Sequence, residues 1–129
     1  MKKYLLDTHT FLWWIADDES LSESVRSRIA DPESTIHFSV VSGWEISIKQ
    51  TIGRLKLSKP PKQFVQQQLS ETGFSILDIR LDHALEVSTL PLIHNDPFDR
   101  LLVAQCVCDG MTLLSRDALL TRYSIEVVW

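Results

Sequence analysis

Cysteine is scarce in this chain: there are two residues in 129, Cys106 and Cys108. No disulfide framework can be built from them, and a chain of this length buries roughly 68% of its unfolded surface, enough to fold without staples. The pair lies among Val103, Ala104 and Val107 in a helical pattern, which predicts reduced core thiols in a cytosolic protein. No further Cys or His cluster completes a zinc set. Long apolar runs are missing as well. The start, Met1-Lys2-Lys3-Tyr4-Leu5-Leu6-Asp7, has basic residues but no apolar stretch of the ~7–15 residues of a signal peptide, and no run reaches the ~18 of a membrane span. The expectation is a soluble, cytoplasmic protein with no membrane contact. With no repeat, low-complexity tract or linker, residues 1–129 read as one domain.

Acidic residues are absent from one stretch, Ile46 to Ser70, where Lys49, Arg54, Lys56, Lys59 and Lys62 contribute +5. The formal net charge is -4, so the rest of the chain carries -9. Such asymmetry can bind a polyanion although the total is acidic; a solvated lysine-rich loop accounts for it equally well. Arg54, Lys56, Lys59 and Lys62 are the candidate residues for contacting the phosphates of such a polyanion.

Apolar and helical periods alternate along the chain. Lys3–Leu6, Thr35–Phe38, Phe74–Ile79, Met111–Ser115 and Ile125–Val128 read as strands. Helical spacing is read over Thr8–Ala16, Leu21–Ala30, a stretch from the Ser39 cap to about Thr51, a segment with Phe64, Val65 and Leu69 that stops at Gly73, Asp82–Ser88 and Pro97–Asp109. Asp117–Leu120 reads as a helical turn. Strands separated by helices require crossover connections, so the predicted fold is a three-layer α/β/α domain with a central parallel sheet. Ligands of such sheets sit beyond the carboxyl ends of the strands, near a topological switch point.

Four acids stand out against this pattern. Asp7 and Asp117 follow apolar strand-like runs. Glu45 interrupts the stripe Val41, Trp44, Ile48, Ile52 on a predicted inward helix face, and Asp99 opens a helix whose inward face continues through Leu102, Val103 and Cys106. Each has a structural alternative. Asp7 and Asp117 can cap the elements that follow, with Thr8 equally able to cap in place of Asp7; Glu45 can pair with Lys49 at i,i+4, and Asp99 can serve as the N3 acid of a capping box. Asp96 before Pro97 reads as an N-cap, and Arg100 as a partner for an acid or phosphate. Carboxylates drawn from separate segments repel one another, so their convergence calls for a cation or shared protons. Oxygen ligands without cysteine or histidine favour Mg²⁺ or Mn²⁺, and that chemistry suits hydrolysis at phosphorus by a nuclease or phosphatase.

The chain resembles the PIN-domain family of metal-dependent ribonucleases, in particular the VapC-type toxins of bacterial toxin–antitoxin pairs. The matching residues are Tyr4-Leu5-Leu6-Asp7-Thr8-His9, Ser42-Gly43-Trp44-Glu45-Ile46-Ser47-Ile48-Lys49, Gly53-Arg54-Leu55, the run His94-Asn95-Asp96-Pro97-Phe98-Asp99-Arg100 with its continuation to Gln105, and Leu113-Leu114-Ser115-Arg116-Asp117. The resemblance implies a parallel sheet flanked by helices, a pocket for Mg²⁺ or Mn²⁺, endonucleolytic RNA cleavage, a homodimer and a cognate antitoxin. It makes Asp7 and Asp99 direct metal ligands, Glu45 a ligand or the group that orients water, and Asp117 an outer or second-metal acid. Ser115 stands where many relatives have threonine. Among rivals, a haloacid-dehalogenase-like phosphatase needs an acid where His9 stands, and a receiver-like module needs paired acids after the first strand. A non-catalytic RNA-binding or dimerisation scaffold is the remaining alternative.

Overall fold

Five short strands rich in Leu, Ile, Val and Phe form the centre of the molecule. The computed structural model describes residues 2–129. Its strands are β1 (Lys3–Leu6), β2 (Thr35–Ser39), β3 (Ser75–Leu77), β4 (Thr112–Leu114) and β5 (Val127–Val128), and its helices are α1 (Thr8–Ala16), α2 (Glu23–Ala30), α3 (Val40–Thr51), α4 (Pro61–Thr72), α5 (Leu81–Glu86) and α6 (Pro97–Asp109). Two 3₁₀ turns, Val87–Thr89 and Ala118–Arg122, follow α5 and β4.

The sheet order is β3-β2-β1-β4-β5 and every neighbouring pair is parallel. From β1 the chain steps outward to β2 and β3, then returns to lay β4 on the other side of β1. The boundary between β1 and β4 is therefore the switch point at which the carboxyl ends of two central strands diverge. Side chains alternate across these strands. Tyr4 and Leu6 face a core with Phe11, Val25 and Ile29 of α1 and α2, while Leu5 and Leu113 face Leu102, Val103 and Cys106 of α6. Both faces are covered, as a parallel sheet demands.

Several boundaries differ from those the periodicity predicts. Helix α2 begins at Glu23 because Ser22 caps it, accepting from the Val25 N–H at 3.1 Å, and Leu21 is buried just ahead of the cap. Strand β3 is short and lies at the edge of the sheet, with Ser75 and Ile76 exposed. The inward face of α3 holds Val41, Ser42, Glu45 and Ile46, whereas Trp44 and Ile52 of the predicted stripe are exposed. Of the two thiols only Cys106 is buried; Cys108 is exposed, so the core-thiol expectation holds for one residue. Among the described residues no helix is long and apolar enough to cross a membrane.

Candidate active site

Asp7 follows β1 directly and caps α1. Its Oδ1 accepts from the Thr10 N–H at 2.8 Å and the Thr10 hydroxyl at 2.6 Å. The capping alternative is thus realised by Asp7 itself, and Thr8 is free for another role. Burial pushes the Asp7 carboxyl above the usual range, against the stabilising hydrogen bonds from Ser115 and Thr10 and the charge of His9. Ser115 sits at the end of β4, and its hydroxyl reaches Asp7 while accepting the Asp117 N–H at 3.1 Å. One hydroxyl therefore ties together the two strand-end acids.

Glu45 is buried on α3. Thr8 donates to its Oε1 at 2.5 Å, and Lys49 pairs with its Oε2 one turn further along. The i,i+4 pair read from the sequence is present, with the carboxylate 3% exposed and the lysine 31%. An ion so deeply buried needs this compensation. Lys49 is consequently the counter-charge on one flank of the site rather than a free surface cation.

Asp99 and Asp117 meet on the other flank, around a histidine. His94 Nδ1 accepts from the Asp96 N–H at 3.0 Å, which leaves the proton of the neutral ring on Nε2. That nitrogen lies 2.8 Å from Asp117 Oδ2 and 3.5 Å from Asp99 Oδ2. Asp96 caps α6, accepting from the N–H groups of Phe98 and Asp99, so the predicted N-cap is correct. The Asp99 carboxyl is pushed up to about 7, first by burial and then by the charges of Asp96, Asp7 and Glu45, with His94 opposing. Asp99 thus senses acids from β1, α3 and its own helix. Asp117 also caps, its Oδ1 accepting from the Leu119 N–H at 3.0 Å, while its other oxygen faces His94.

Of the four predicted acids, Asp99 and Asp117 bring oxygens within 4.8 Å of each other and of a His94 nitrogen, while Asp7 and Glu45 lie near enough for Asp99 to feel their charges. Asp7 and Asp117 also line a cavity of about 290 Å³ with His9, Trp13 and Arg116. The donor set is carboxylate oxygen with one imidazole, and it fits a hard divalent cation, whose charge would offset the burial and the neighbouring acids that push the Asp99 carboxyl up. A second acidic cluster, Asp82, His83 and Asp109, is of another kind. Arg80 pairs with both of its aspartates and His83 lies 3.2 Å from Asp109, which clasps α5 to α6.

Two residues singled out from sequence behave differently from expectation. Arg100 meets neither an acid nor a phosphate-like site: it donates to the carbonyls of Pro91 and Val87 and to the Tyr123 hydroxyl. The same hydroxyl accepts the His94 N–H at 2.9 Å, so Arg100 and Tyr123 hold the loop that carries His94. In the basic segment Arg54, Lys56 and Lys62 are exposed, while Lys59 donates to Gln67 at 2.7 Å. Leu55 and Leu57, which alternate with the cations, pack against the core and anchor the segment. His94 received no individual role from the sequence; the signal was its place in the run that ends at Arg100.

Fold and pocket together define a class, a parallel α/β/α domain with a carboxylate pocket at its switch point. The chain belongs to the PIN-domain family, whose model matches residues 4–126. Ribonuclease VapC22 of Mycobacterium tuberculosis is 27% identical over 117 residues, which cover 91% of this chain and 88% of that protein. VapBC2 from Rickettsia felis, solved bound to a DNA fragment from its promoter, has a similar structure with TM-score 0.72 at 16% identity, covering 98% of each chain. VapBC-1 from nontypeable Haemophilus influenzae gives TM-score 0.65 at 14% identity, covering 98% of this chain and 96% of that one. At these identities the structural likeness speaks to the fold.

Proposed function

We propose that this protein is a metal-dependent endoribonuclease, the toxin of a VapC-type toxin–antitoxin pair, working in the cytoplasm. The observation that carries this reading is the gathering of acids at the switch point, Asp99 and Asp117 around His94 with Asp7 and Glu45 close enough for Asp99 to feel their charges. The similarity to ribonuclease VapC22 supports RNA as the substrate. Asp7 and Asp99 are the residues suited to hold Mg²⁺ or Mn²⁺ directly, with Glu45 and Asp117 completing the acidic ring. A divalent cation there supplies Lewis-acid charge to a phosphodiester and to the water that attacks it.

The remaining side chains orient the acids. Thr10 and Ser115 fix the Asp7 carboxylate, Thr8 fixes Glu45, and His94 fixes Asp117. With three of the four acids held by a neighbour, little reorganisation is left for the reaction itself. Lys49 offsets part of the negative charge that would otherwise repel an RNA phosphate.

A cognate antitoxin and a homodimer belong to the same reading, supported by the toxin–antitoxin complexes of similar fold from Rickettsia felis and Klebsiella pneumoniae. An electronegative cleft is a docking place for an Arg or Lys on an antitoxin segment, because such a side chain matches the charge of the cation. The test is cleavage of RNA by the purified protein with Mn²⁺ or Mg²⁺ and with chelator, beside Asp7→Asn, Asp99→Asn and Glu45→Gln. Metal-dependent internal cuts that disappear in all three variants are the expected result. RNA binding without cleavage would favour the scaffold alternative, and hydrolysis of small phosphomonoesters without RNA cleavage the phosphatase one.

A further inference from the structure

Helix α1 places more than Asp7 at the cleft. Its sequence, Thr8 to Ala16, carries no acid, lysine or arginine, yet it has two adjacent tryptophans. One turn past the capped start, His9 and Trp13 lie at i,i+4 with ring centroids 5.7 Å apart. The Arg116 guanidinium sits over the Trp13 ring at 5.7 Å, and Arg116 immediately precedes Asp117. Trp129 packs edge-on against Trp13 at 5.7 Å and holds its orientation. That packing explains one edge of the indole but not why the ring also lines the cavity with Asp7 and Asp117.

The same two rings continue into a second cavity of about 420 Å³, bordered by Leu55, Lys56, Leu57 and Phe64. An apolar and aromatic groove therefore runs from the acids to the basic segment, with cationic Arg116 at one end and Lys56 at the other. Acids at the phosphate position, an aromatic ring beside them and cations flanking the ring form the arrangement that single-stranded nucleic acid requires. A base stacks on an indole whatever its identity, an arginine adds cation–π attraction, and bases are available for stacking only where RNA is unpaired.

We infer that His9, Trp13 and Arg116 form the subsite for the nucleobase next to the scissile phosphate, with the strand running from there along the groove toward Lys56. The inference rests on the ribonuclease reading of the adjacent acids and adds to it what positions the strand. Trp13 supplies the stacking face, while Arg116 extends that face and offsets the charge of Asp7 and Asp117 where the strand enters.

Two measurements test it separately from the cleavage chemistry. The first is equilibrium binding of an unstructured RNA oligonucleotide, in EDTA, to the full chain and to its Trp13→Ala, Trp13→Phe and Arg116→Gln variants. Trp13→Ala should weaken binding by about tenfold or more, the order that loss of one base–aromatic stack gives, whereas Trp13→Phe should stay within a few-fold of the parent. Arg116 is exposed, so Arg116→Gln should weaken binding without lowering the melting temperature and thereby covers a folding defect in Trp13→Ala. The second is cleavage, with Mn²⁺, of an RNA carrying one abasic nucleotide beside the cut. The parent should lose rate on that substrate, and Trp13→Ala should lose nothing further. If the parent binds RNA and discriminates Trp13→Ala but cuts nothing, the ribonuclease reading fails and the subsite stands. Equal binding by the parent, Trp13→Ala and Arg116→Gln, or indifference of the parent to the abasic position, overturns the subsite. Protection of Trp13 from solvent by a protein partner but not by RNA would overturn it too.

Discussion

Thr8 and Glu45, 37 residues apart in the chain, meet at 2.5 Å: the threonine hydroxyl donates to a buried carboxylate oxygen. The bond joins the first turn of α1 to the middle of α3 and sets the second of the four acids relative to the first. Thr8→Val keeps the shape and removes the donor, leaving Glu45 compensated by Lys49 alone. The expected cost is about 1–3 kcal/mol in urea denaturation, together with loss of RNA cleavage. Thr8→Ser should restore both, and a fully active Thr8→Val would mean that Glu45 needs no positioning.

Asp99 makes stability depend on pH. Its carboxyl stands at about 7 in the folded chain against 3.8 ordinarily, so its contribution is fully present below the lower value and is lost as pH rises through the upper one. Asp7 is shifted in the same direction. Metal-free protein should therefore lose stability between pH ~4 and ~7, with ~4 kcal/mol as the upper bound for Asp99. Asp99→Asn should flatten this slope and melt no lower than the parent at pH 7.5 in EDTA. Millimolar Mn²⁺ should raise the parent's melting temperature, by the equivalent of ~2.7 kcal/mol at a hundred times Kd, and raise that of the variant less. An unshifted parent together with a destabilised variant would assign Asp99 to helix capping alone.

Ser115 serves Asp7 through its hydroxyl hydrogen and the Asp117 N–H through its oxygen. Ser115→Thr preserves both functions and should retain activity. Ser115→Ala orphans a buried contact and should reduce cleavage tenfold or more, for a stability cost of about 1–3 kcal/mol. Equal rates in the two variants would show that the Asp7 carboxylate is held adequately by Thr10.

The basic segment gives a salt-dependence test. Arg54→Gln with Lys56→Gln should weaken binding of unrelated RNAs alike and flatten the salt slope by roughly 0.7 per lost single-strand contact. Lys59, already engaged with Gln67, should contribute less than Lys62. A slope unchanged by the double substitution would make this segment an element of folding or association.

Much of this was legible in the sequence because parallel strands buried on both faces read as apolar runs, and Asp7 and Asp117 stood at the ends of two of them. Glu45 showed itself as an acid on an inward helix face, although that face is rotated from the predicted stripe: Ile46 lies inside and Trp44 outside, packed edge-on against Phe98. What the sequence did not reveal depends on contacts between distant segments. The task of His94 exists only because Asp117, 23 residues on, meets it. Arg100 pairs with no acid because its partners are two backbone carbonyls, which leave no mark in residue type, and the hydroxyl of Tyr123. Edge strand β3 is shorter than the Phe74–Ile79 run predicts, because its pairing stops where β2 ends: Leu77 lies opposite Ser39, the last residue of β2.

The last strand pair has a bearing on when the site is completed. Ser115 is hydrogen-bonded through its N–H to the carbonyl of Val128 in β5, and β4, which delivers Ser115 and Asp117, pairs with β1 only after residues 112–114 are in place. The first half of the chain carries Asp7 and Glu45 but not the strand that brings Ser115 and Asp117 to them. Completion of the site therefore waits on the far side of the sheet, and on the ribonuclease reading no phosphodiester can be cut until β4 and β5 have closed on β1.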